Sequence, residues 1–416
     1  MHRVLVEEKK WIGEARFLHA LNYCILLPGP EAQQLATYVG WLLHGTRGGL
    51  AAGLLFIVPG VLCVLGLSAL YAAGQDVPAV EALFFGLKAA VLAIVVEAVL
   101  RIGRKVLKNG LMVALAALAF GAIFFLRVPF PWIVLGAGLF GLVASRFRPE
   151  LFPSLAHRPG AAPTAADHAL DSGAEHVRPT LARTLRTLAT WLALWLGPLA
   201  ALGLLLGGES VFVAAARFFS QTAVVTFGGA YAVLGYVAQH AVDGQGWLTA
   251  GEMLDGLGLA ETTPGPLILV LEFVGYLAGH RSSGTLAPWL GGVLGALVAV
   301  WFTFAPCFLW IFVGAPFVES VRGHRRLDAA LSSITAAVVG VVLNLAVWFG
   351  LHVLFRDAGE RAWHGLRLFV PDPATLDLGA LALGALAAAL LFWRKLGMLP
   401  TLAVCAGCGL LLRALA

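Results

Sequence analysis

Charged residues are scarce in this chain, and their scarcity excludes an ordinary soluble domain. Only 12% of the 416 residues are Asp, Glu, Lys or Arg, whereas 60% are hydrophobic, and a soluble domain carries about 25% charged residues. The mean hydropathy is +0.87. Apolar surface on this scale must face lipid or neighbouring helices. Composition therefore predicts an all-α, polytopic integral membrane protein surrounded by the lipid bilayer.

Cysteine is sparse too, and the five cysteines form no disulfide or zinc pattern. Cys405 and Cys408 are spaced as CxxC, but on an apolar terminal helix such small residues are typical of packing. His157, His168 and His176 are widely spaced in a polar segment, which favours a solvated linker over a metal tract. HExxH, GxSxG, a compact His/Asp set and aromatic-interleaved basic patches are all absent. We therefore expect no cofactor, metal, enzymatic activity or nucleic-acid partner.

Apolar stretches long enough to cross about 30 Å of hydrocarbon recur along the chain. With two further segments that are broken in the middle, they predict about twelve membrane segments in all. The broken segments are residues 17–41 and 253–278, and the uninterrupted stretches are residues 48–72, 80–100, 111–126, 130–145, 188–207, 211–236, 286–314, 329–355, 376–393 and 396–412.

A proline-glycine-proline triplet occurs twice at membrane depth. Proline lacks an N–H and glycine tolerates unusual dihedrals, so each triplet interrupts its helix and frees backbone polar groups. Two copies in register predict two related halves, each with a broken helix. The copies are Pro28, Gly29, Pro30 and, 236 residues later, Pro264, Gly265, Pro266, with Trp11 and Trp247 at the same offset.

Charge placement predicts that the two halves are inverted. The positive clusters at residues 101–108 and in the polar linker fall on one side, which the positive-inside rule makes cytoplasmic. In the second half the corresponding cluster, at residues 322–326, lies at the other end of the matching helix. We predict a transporter repeat at residues 1–145, a cytoplasmic linker at 146–187, a connecting transmembrane helix at 188–207 and a second transporter repeat at 208–416.

The same offset aligns Met1 with Val237. The first half then has no counterpart of the 211–236 segment with its Phe-Gly-Gly. Either this chain lacks that helix, or Met1 is an internal methionine of a longer reading frame. Because the loss of one helix would break the internal symmetry, we expect the second.

Polar residues collect at the predicted breaks. The helix after each triplet would begin near Glu31 or Leu267, and its free N–H groups and positive dipole end favour an anion. Thr and Gln side chains can donate to an oxyanion, and adjacent glycines after Thr226 permit close helix approach or a further break. The candidate substrate-binding residues are Pro28, Gly29, Pro30, Gln33, Gln34, Arg217, Thr226, Phe227, Gly228, Gly229, Thr262, Thr263, Pro264, Gly265 and Pro266.

Each of these residues also has a purely structural interpretation. An interhelical hydrogen bond or a place at a helix end accounts for any single polar residue. The intramembrane cations Arg217 and Lys88 each attract a substrate or pair with Glu81, Glu97 or another acid, and Arg217 is the better placed for a substrate. The carboxylates Glu31, Glu261 and Glu272 are candidates for coupling transport to protons.

Three segments resemble signatures of the long-chain, two-domain chromate ion transporter family. They are LLPGPEAQQLATYVGWLLHG in the first half, and TFGGAYAVLGYV followed by TTPGP in the second. The likeness covers nearly the whole chain, although the first half lacks the family's Phe-Gly-Gly helix. It implies export of chromate, a sulfate-shaped dianion, across the bacterial inner membrane. The implied driving force is the membrane potential or a proton gradient, and the implied phenotype is chromate resistance.

Without the family resemblance, the residues predict a carrier with a binding site for a small anion near the middle of the membrane. They do not separate chromate from sulfate, so a sulfate or general oxyanion carrier remains an alternative, as does a non-transporting membrane scaffold. They also leave open a homodimer, the coupling ion, and whether the triplet segments span or re-enter the membrane.

Overall fold

A computed structural model describes residues 1–75, 77–152, 180–227, 230–317, 325–363 and 366–415. The chain is helical almost throughout, because only intrahelical hydrogen bonds satisfy the backbone of an apolar segment in lipid. The helices are α1 (Glu14–Leu26), α2 (Glu31–Gly74), α3 (Pro78–Val106), α4 (Gly110–Leu126), α5 (Phe130–Phe147), α6 (Leu181–Leu206), α7 (Val211–Val225), α8 (Ala230–Ala238), α9 (Ala250–Thr262), α10 (Val270–Arg281), α11 (Pro288–Gly314), α12 (Arg325–Leu354), α13 (Leu378–Ala388) and α14 (Met398–Leu415).

The helices confirm a multi-pass membrane protein. Among the described residues, six helices are long and apolar enough to cross a bilayer, and four shorter ones are apolar. The predicted apolar stretches fall largely on helix, but the stretch 211–236, predicted as uninterrupted, is broken after Val225. The total of about twelve segments stays a prediction. The predicted connecting helix is α6, and within it only Trp195 is buried. It therefore lies at the periphery of the bundle.

Helix α2 consists of two arms that fold back on each other. His44 (φ −136°, ψ 21°) and Gly45 (φ 64°, ψ −158°) interrupt it. In a straight helix Gly40 and Gly48 would be about 12 Å apart, yet a Cβ on Gly40 would lie 2.5 Å from the Gly48 carbonyl oxygen. The arms, residues 31–43 and 46–74, therefore pack antiparallel through glycines that leave no room for a side chain.

The two predicted broken segments and the stretch 211–236 each re-enter the bundle instead of crossing it. In the first re-entrant hairpin, α1 and the first arm of α2, the rings of Tyr23 and Tyr38 lie 5.9 Å apart. In the second, α7 and α8, Phe218 stacks on His240 at 3.9 Å, although a straight helix would separate them by about 33 Å.

The third re-entrant hairpin is α9 and α10, which are joined through the second triplet. Arg281 at the end of α10 pairs with Glu252 at the start of α9 and donates to the Trp247 carbonyl oxygen at 3.0 Å. The base of this hairpin therefore lies beside the end of the second hairpin. The segment at residues 253–278 enters and leaves the bundle on one face.

The two halves interlock through an exchange of helices. Helix α3 of the first half packs against α13 and α14, and α12 of the second half packs against α4 and α5. Glycines allow both crossings: a Cβ on Gly86 of α3 would collide with the Cys405 carbonyl oxygen, and one on Gly141 of α5 would lie 2.5 Å from the Ala329 carbonyl oxygen. The core is therefore shared between the halves.

One extramembrane element departs from the all-helical expectation. Residues 356–375, between the predicted apolar stretches 329–355 and 376–393, contain strands β1 (Ala358–Trp363) and β2 (Leu366–Pro371), paired antiparallel. Glu360 of β1 binds Arg127 of the α4–α5 turn at 2.5 Å, and Arg367 of β2 lies 3.6 Å from Asp243, just after α8. The β-hairpin, which itself connects α12 to α13, thus contacts both the α4–α5 turn and the α8–α9 connection on one face of the bundle.

The close crossing of α3 and α14 gives a testable stability difference. We expect Gly86→Ala to lower the free energy of unfolding by about 1–3 kcal/mol, because the added Cβ overpacks the contact. Gly103→Ala is the control on the same helix, since the nearest atom to its Cβ is 3.7 Å away, and helix propensity favours it by up to about 1 kcal/mol. Thermal unfolding in detergent measures both. Equal midpoints for the two variants would contradict the close crossing.

Candidate functional site

The breaks of the three re-entrant hairpins converge in one region. The Gly29 N–H donates to the Thr226 carbonyl oxygen at 2.8 Å, which joins the first break to the second. At the start of α8, the Tyr231 hydroxyl donates to the Glu261 carboxylate near the end of α9, which joins the second to the third. The structure therefore brings all three breaks into contact, and we call this region the break junction.

The first triplet is tightly enclosed. Gly29 has φ +120°, and a Cβ there would lie 2.7 Å from Cys307 Sγ of α11 and 2.9 Å from Gln34 Nε2. Gly29 and Pro30 are buried, and Pro30 is the N-cap of α2. Only glycine fits position 29, because φ is positive there and the neighbouring side chains leave no room for a Cβ.

Two buried glutamines follow the first triplet. Gln34 Nε2 donates to the Pro28 carbonyl oxygen at 2.7 Å, and Gln33 Nε2 donates to Thr37 Oγ1 at 3.0 Å. Both side chains are fully buried, and among the described residues the Oε1 atom of each has no hydrogen-bond partner. Polar atoms left unpaired in the interior are costly. The unpaired hydrogen-bonding capacity that the glutamines keep at the break junction is therefore that of acceptors.

The second triplet is more open. Gly265 has φ +129°, and both it and Pro264 are exposed. The turn packs on the second arm of α2, where a Cβ on Gly60 would lie 2.5 Å from the Pro264 carbonyl oxygen. The equivalent glycines, Gly29 and Gly265, thus share a positive φ, but Gly29 is buried whereas Gly265 is exposed.

The threonines at the breaks act as caps for carbonyl groups. Thr262 Oγ1 donates to the Leu259 carbonyl oxygen at 2.8 Å, and Thr263 Oγ1 donates to that of Ala260 at 3.1 Å. Thr226 Oγ1 donates to the Thr222 carbonyl oxygen. The hydroxyl protons predicted to bind an oxyanion are therefore used within the helices. They satisfy carbonyl groups that would otherwise present negative charge at the helix C-terminal ends.

Three helix N-termini remain directed at the break junction. Helix α2 begins at Glu31, α8 at Ala230, and α10 at Val270 after a single 3₁₀ turn. The first N–H groups of a helix have no intrahelical acceptor, and its N-terminal end carries a partial positive charge. Two carboxylates lie at the same place, Glu31 in the first turn of α2 and Glu261 beside Tyr231, so the junction combines helix N-terminal ends with acidic groups.

Arg217, a predicted site residue, lies away from the break junction. Arg217 is exposed on α7, nine residues from Thr226 and therefore about 13 Å along the helix axis. Gly228 and Gly229 lie outside the described residues, and Phe227 is partly buried beside α4, α5 and α12. In the part of the chain that the structure describes, no cluster of His, Cys, Asp or Glu has the arrangement of a metal site.

Residues from the long helices complete the junction and were missed in the sequence. The first triplet meets Cys307 of α11 and the second meets Gly60 of α2. Each of these residues directly follows an in-helix proline, Pro306 or Pro59. The proline in the middle of the long span of each half is the sequence signal that could have identified these positions.

The enclosed turn at Gly29 predicts a loss of stability on substitution. Gly29→Ala adds left-handed strain of about 1–2 kcal/mol and forces Cys307 or Gln34 to move. Gly207→Ala is the control for strain alone, because Gly207 has φ +78° and no described atom lies within 4 Å of its Cβ position. We expect Gly29→Ala to lower the thermal unfolding midpoint clearly more than Gly207→Ala does. Equal losses would show that the enclosure contributes nothing.

Comparison with known proteins assigns the family. A sequence model described as "Chromate transporter" matches residues 1–142 and 213–411, which lie in both halves. A chromate transport protein of Pseudomonas aeruginosa is 36% identical over 351 residues, covering 82% of this chain and 73% of that protein. A probable chromate transport protein of Synechococcus elongatus is 26% identical over 407 residues, covering 95% of this chain and 90% of the relative.

No solved structure matches the chain at a significant level. The family match spans both triplets and the segments that meet at the break junction. The chain therefore belongs to the chromate transporter family.

Proposed function

We propose that the protein exports chromate across the bacterial inner membrane through the break junction. The observation that carries this proposal is the convergence of three helix N-termini in a chain of the chromate transporter family. Chromate is a compact dianion with four oxygen acceptors. A buried cluster of N–H donors binds such an ion without a permanent countercharge.

The partial charges at the junction would bind a dianion and still allow its release during transport. Each helix N-terminus is equivalent to about +0.5 elementary charge, so three supply about +1.5 against −2. Fixed dipoles thereby offset much of the cost of placing the ion in a low-dielectric interior. A full buried cation would hold the ion more strongly and slow its release. We therefore assign binding to the first turn of each following helix, with Gln33 and Gln34 beside it.

The other predicted residues take supporting roles in this proposal. Gly29, Gly265 and their flanking prolines shape the turns, and Thr226, Thr262 and Thr263 cap carbonyl groups. Arg217, which is exposed on α7, draws anions toward the mouth of the pathway.

We propose further that the repeats are inverted, at residues 1–145 and 208–416, and that they alternate access to the junction. Three helical segments, the second arm of α2, α3 and α4, separate Arg47 from Arg127. If each of them crosses the membrane, the two residues lie on opposite faces. Arg127 is linked through the β-hairpin to Asp243 at the base of the second re-entrant hairpin. The first and second hairpins then enter from opposite faces.

The membrane potential favours export of this substrate. One elementary charge moving through 100 mV corresponds to about 2.3 kcal/mol, so a dianion gains about 4.6 kcal/mol when it leaves a negative interior. A proton gradient adds to this drive if protons enter in exchange.

Transport by cells tests the proposal directly. We expect a chromate-sensitive bacterium that produces this protein to accumulate less radioactive chromate and to grow at higher chromate concentrations. Pro264→Ala should restore sensitivity because it removes a helix break, whereas Pro198→Ala, in the peripheral helix α6, should not. Sulfate as competitor distinguishes a general oxyanion carrier. Unchanged chromate accumulation with a correctly inserted wild-type protein would overturn the proposal.

A further inference from the structure

A buried charged cluster lies near the base of the third re-entrant hairpin, away from the break junction. Lys88 Nζ of α3 lies 3.2 Å from Asp255 Oδ2 of α9, and the Tyr71 hydroxyl of α2 donates to the same oxygen at 2.8 Å. The cluster therefore joins α2 and α3 of the first half to the third re-entrant hairpin, which belongs to the second half.

Asp255 is almost fully enclosed within this cluster. Its side chain is 3% exposed, whereas that of Lys88 is 30% exposed, so the lysine connects the carboxylate to the outside. In the part of the chain that the structure describes, Asp255 Oδ1 has no hydrogen-bond partner. Burying a carboxylate with one oxygen unpaired costs free energy, so such a group is typical of a functional position.

The groups around Asp255 form a short ionisable path to the surface. Glu252 lies one turn away on α9 and pairs with Arg281 of α10. Other titratable groups on the neighbouring helices have contacts of their own: His352 of α12 binds the Trp348 carbonyl oxygen, and Cys405 of α14 lies against Gly86. The charged and titratable groups that act on Asp255 are Lys88, Tyr71 and Glu252.

We propose that Asp255, held by Lys88 and Tyr71, is the proton-binding residue that couples proton entry to anion export. This inference rests on the proposed chromate export and names the coupling site for it. The sequence pointed to Glu31, Glu261 and Glu272, whereas the geometry points to Asp255 because its carboxylate joins a lysine, a tyrosine and both halves.

The chemical step is a simple proton transfer. A hydronium ion gives its proton to Asp255 Oδ1, an O–H bond forms there, and a water molecule is left. The aspartic acid is then neutral, so its attraction to the Lys88 ammonium is lost. The contact that holds α9 to α2 and α3 weakens, and the third re-entrant hairpin becomes free to move relative to Gly60, on which its triplet packs.

The position of the cluster fits proton entry from outside. Arg281 binds the Trp247 carbonyl oxygen, close in sequence to Asp243, which is linked through the β-hairpin to Arg127. That face is opposite the positive cluster at residues 101–108 in the proposed topology. Protons entering there move inward as the dianion moves outward.

Two measurements on purified full-length protein in proteoliposomes separate coupling from binding. The first is tracer chromate exchange with equal pH and equal chromate on both sides. The second is chromate-dependent proton movement, read with an internal pH dye. We expect Asp255→Asn to lower proton movement about tenfold or more while exchange stays close to the wild-type rate. Glu81→Gln, which removes an exposed partner of Arg413, is the control and should change neither.

The outcomes distinguish the two proposals. No chromate exchange by the wild-type protein overturns the proposed function itself. Wild-type proton movement in Asp255→Asn, or loss of exchange and proton movement together in a folded variant, overturns the coupling site. If Asp255→Asn does not fold, Tyr71→Phe provides the test. Loss of its hydrogen bond to the carboxylate should shift the pH midpoint of proton-driven transport to higher pH, and an unchanged midpoint overturns the assignment.

Discussion

The hydrogen bond from the Gly29 N–H to the Thr226 carbonyl oxygen is the contact on which the rest of this structure depends. A helix broken inside a membrane leaves polar backbone groups that lipid cannot satisfy. Here two breaks, one from each half of the chain, satisfy each other. The price of breaking two helices is thereby reduced, and their free N–H ends are held in one place. Without this pairing the breaks would have to be filled by water or straightened.

Glycines around the break junction allow the backbones of neighbouring helices to approach closely. Glycines let α2 fold back on itself, let the α3–α14 and α5–α12 crossings close, and let each triplet turn lie against a long helix of the other half. Threonines cap the carbonyl ends at the breaks. The anion site that we propose is therefore made of main-chain groups at the helix N-terminal ends, with no lysine or arginine assigned to it.

Local chemistry made part of this architecture predictable. Span length and the properties of proline and glycine locate the helices and the breaks at both triplets, because those effects act within a few residues. The re-entry of the broken segments was not predictable, since it depends on contacts such as Phe218 with His240 that join distant residues. Asp255 was missed for the same reason, because its importance comes from Lys88 and Tyr71 on other helices. Arg217 was chosen for its charge, although its helical position carries it away from the junction.

The central claim is that two re-entrant hairpins from opposite faces of the membrane meet at Gly29 and Thr226. Side-specific labelling tests it most directly, with single cysteines at Arg47→Cys, by the base of the first hairpin, and Gln245→Cys, by the base of the second, in a chain whose other cysteines are replaced. Both positions are exposed. The account predicts that a membrane-impermeant maleimide labels Gln245→Cys in intact cells and Arg47→Cys only after permeabilisation. Labelling of both positions from the same side would contradict it.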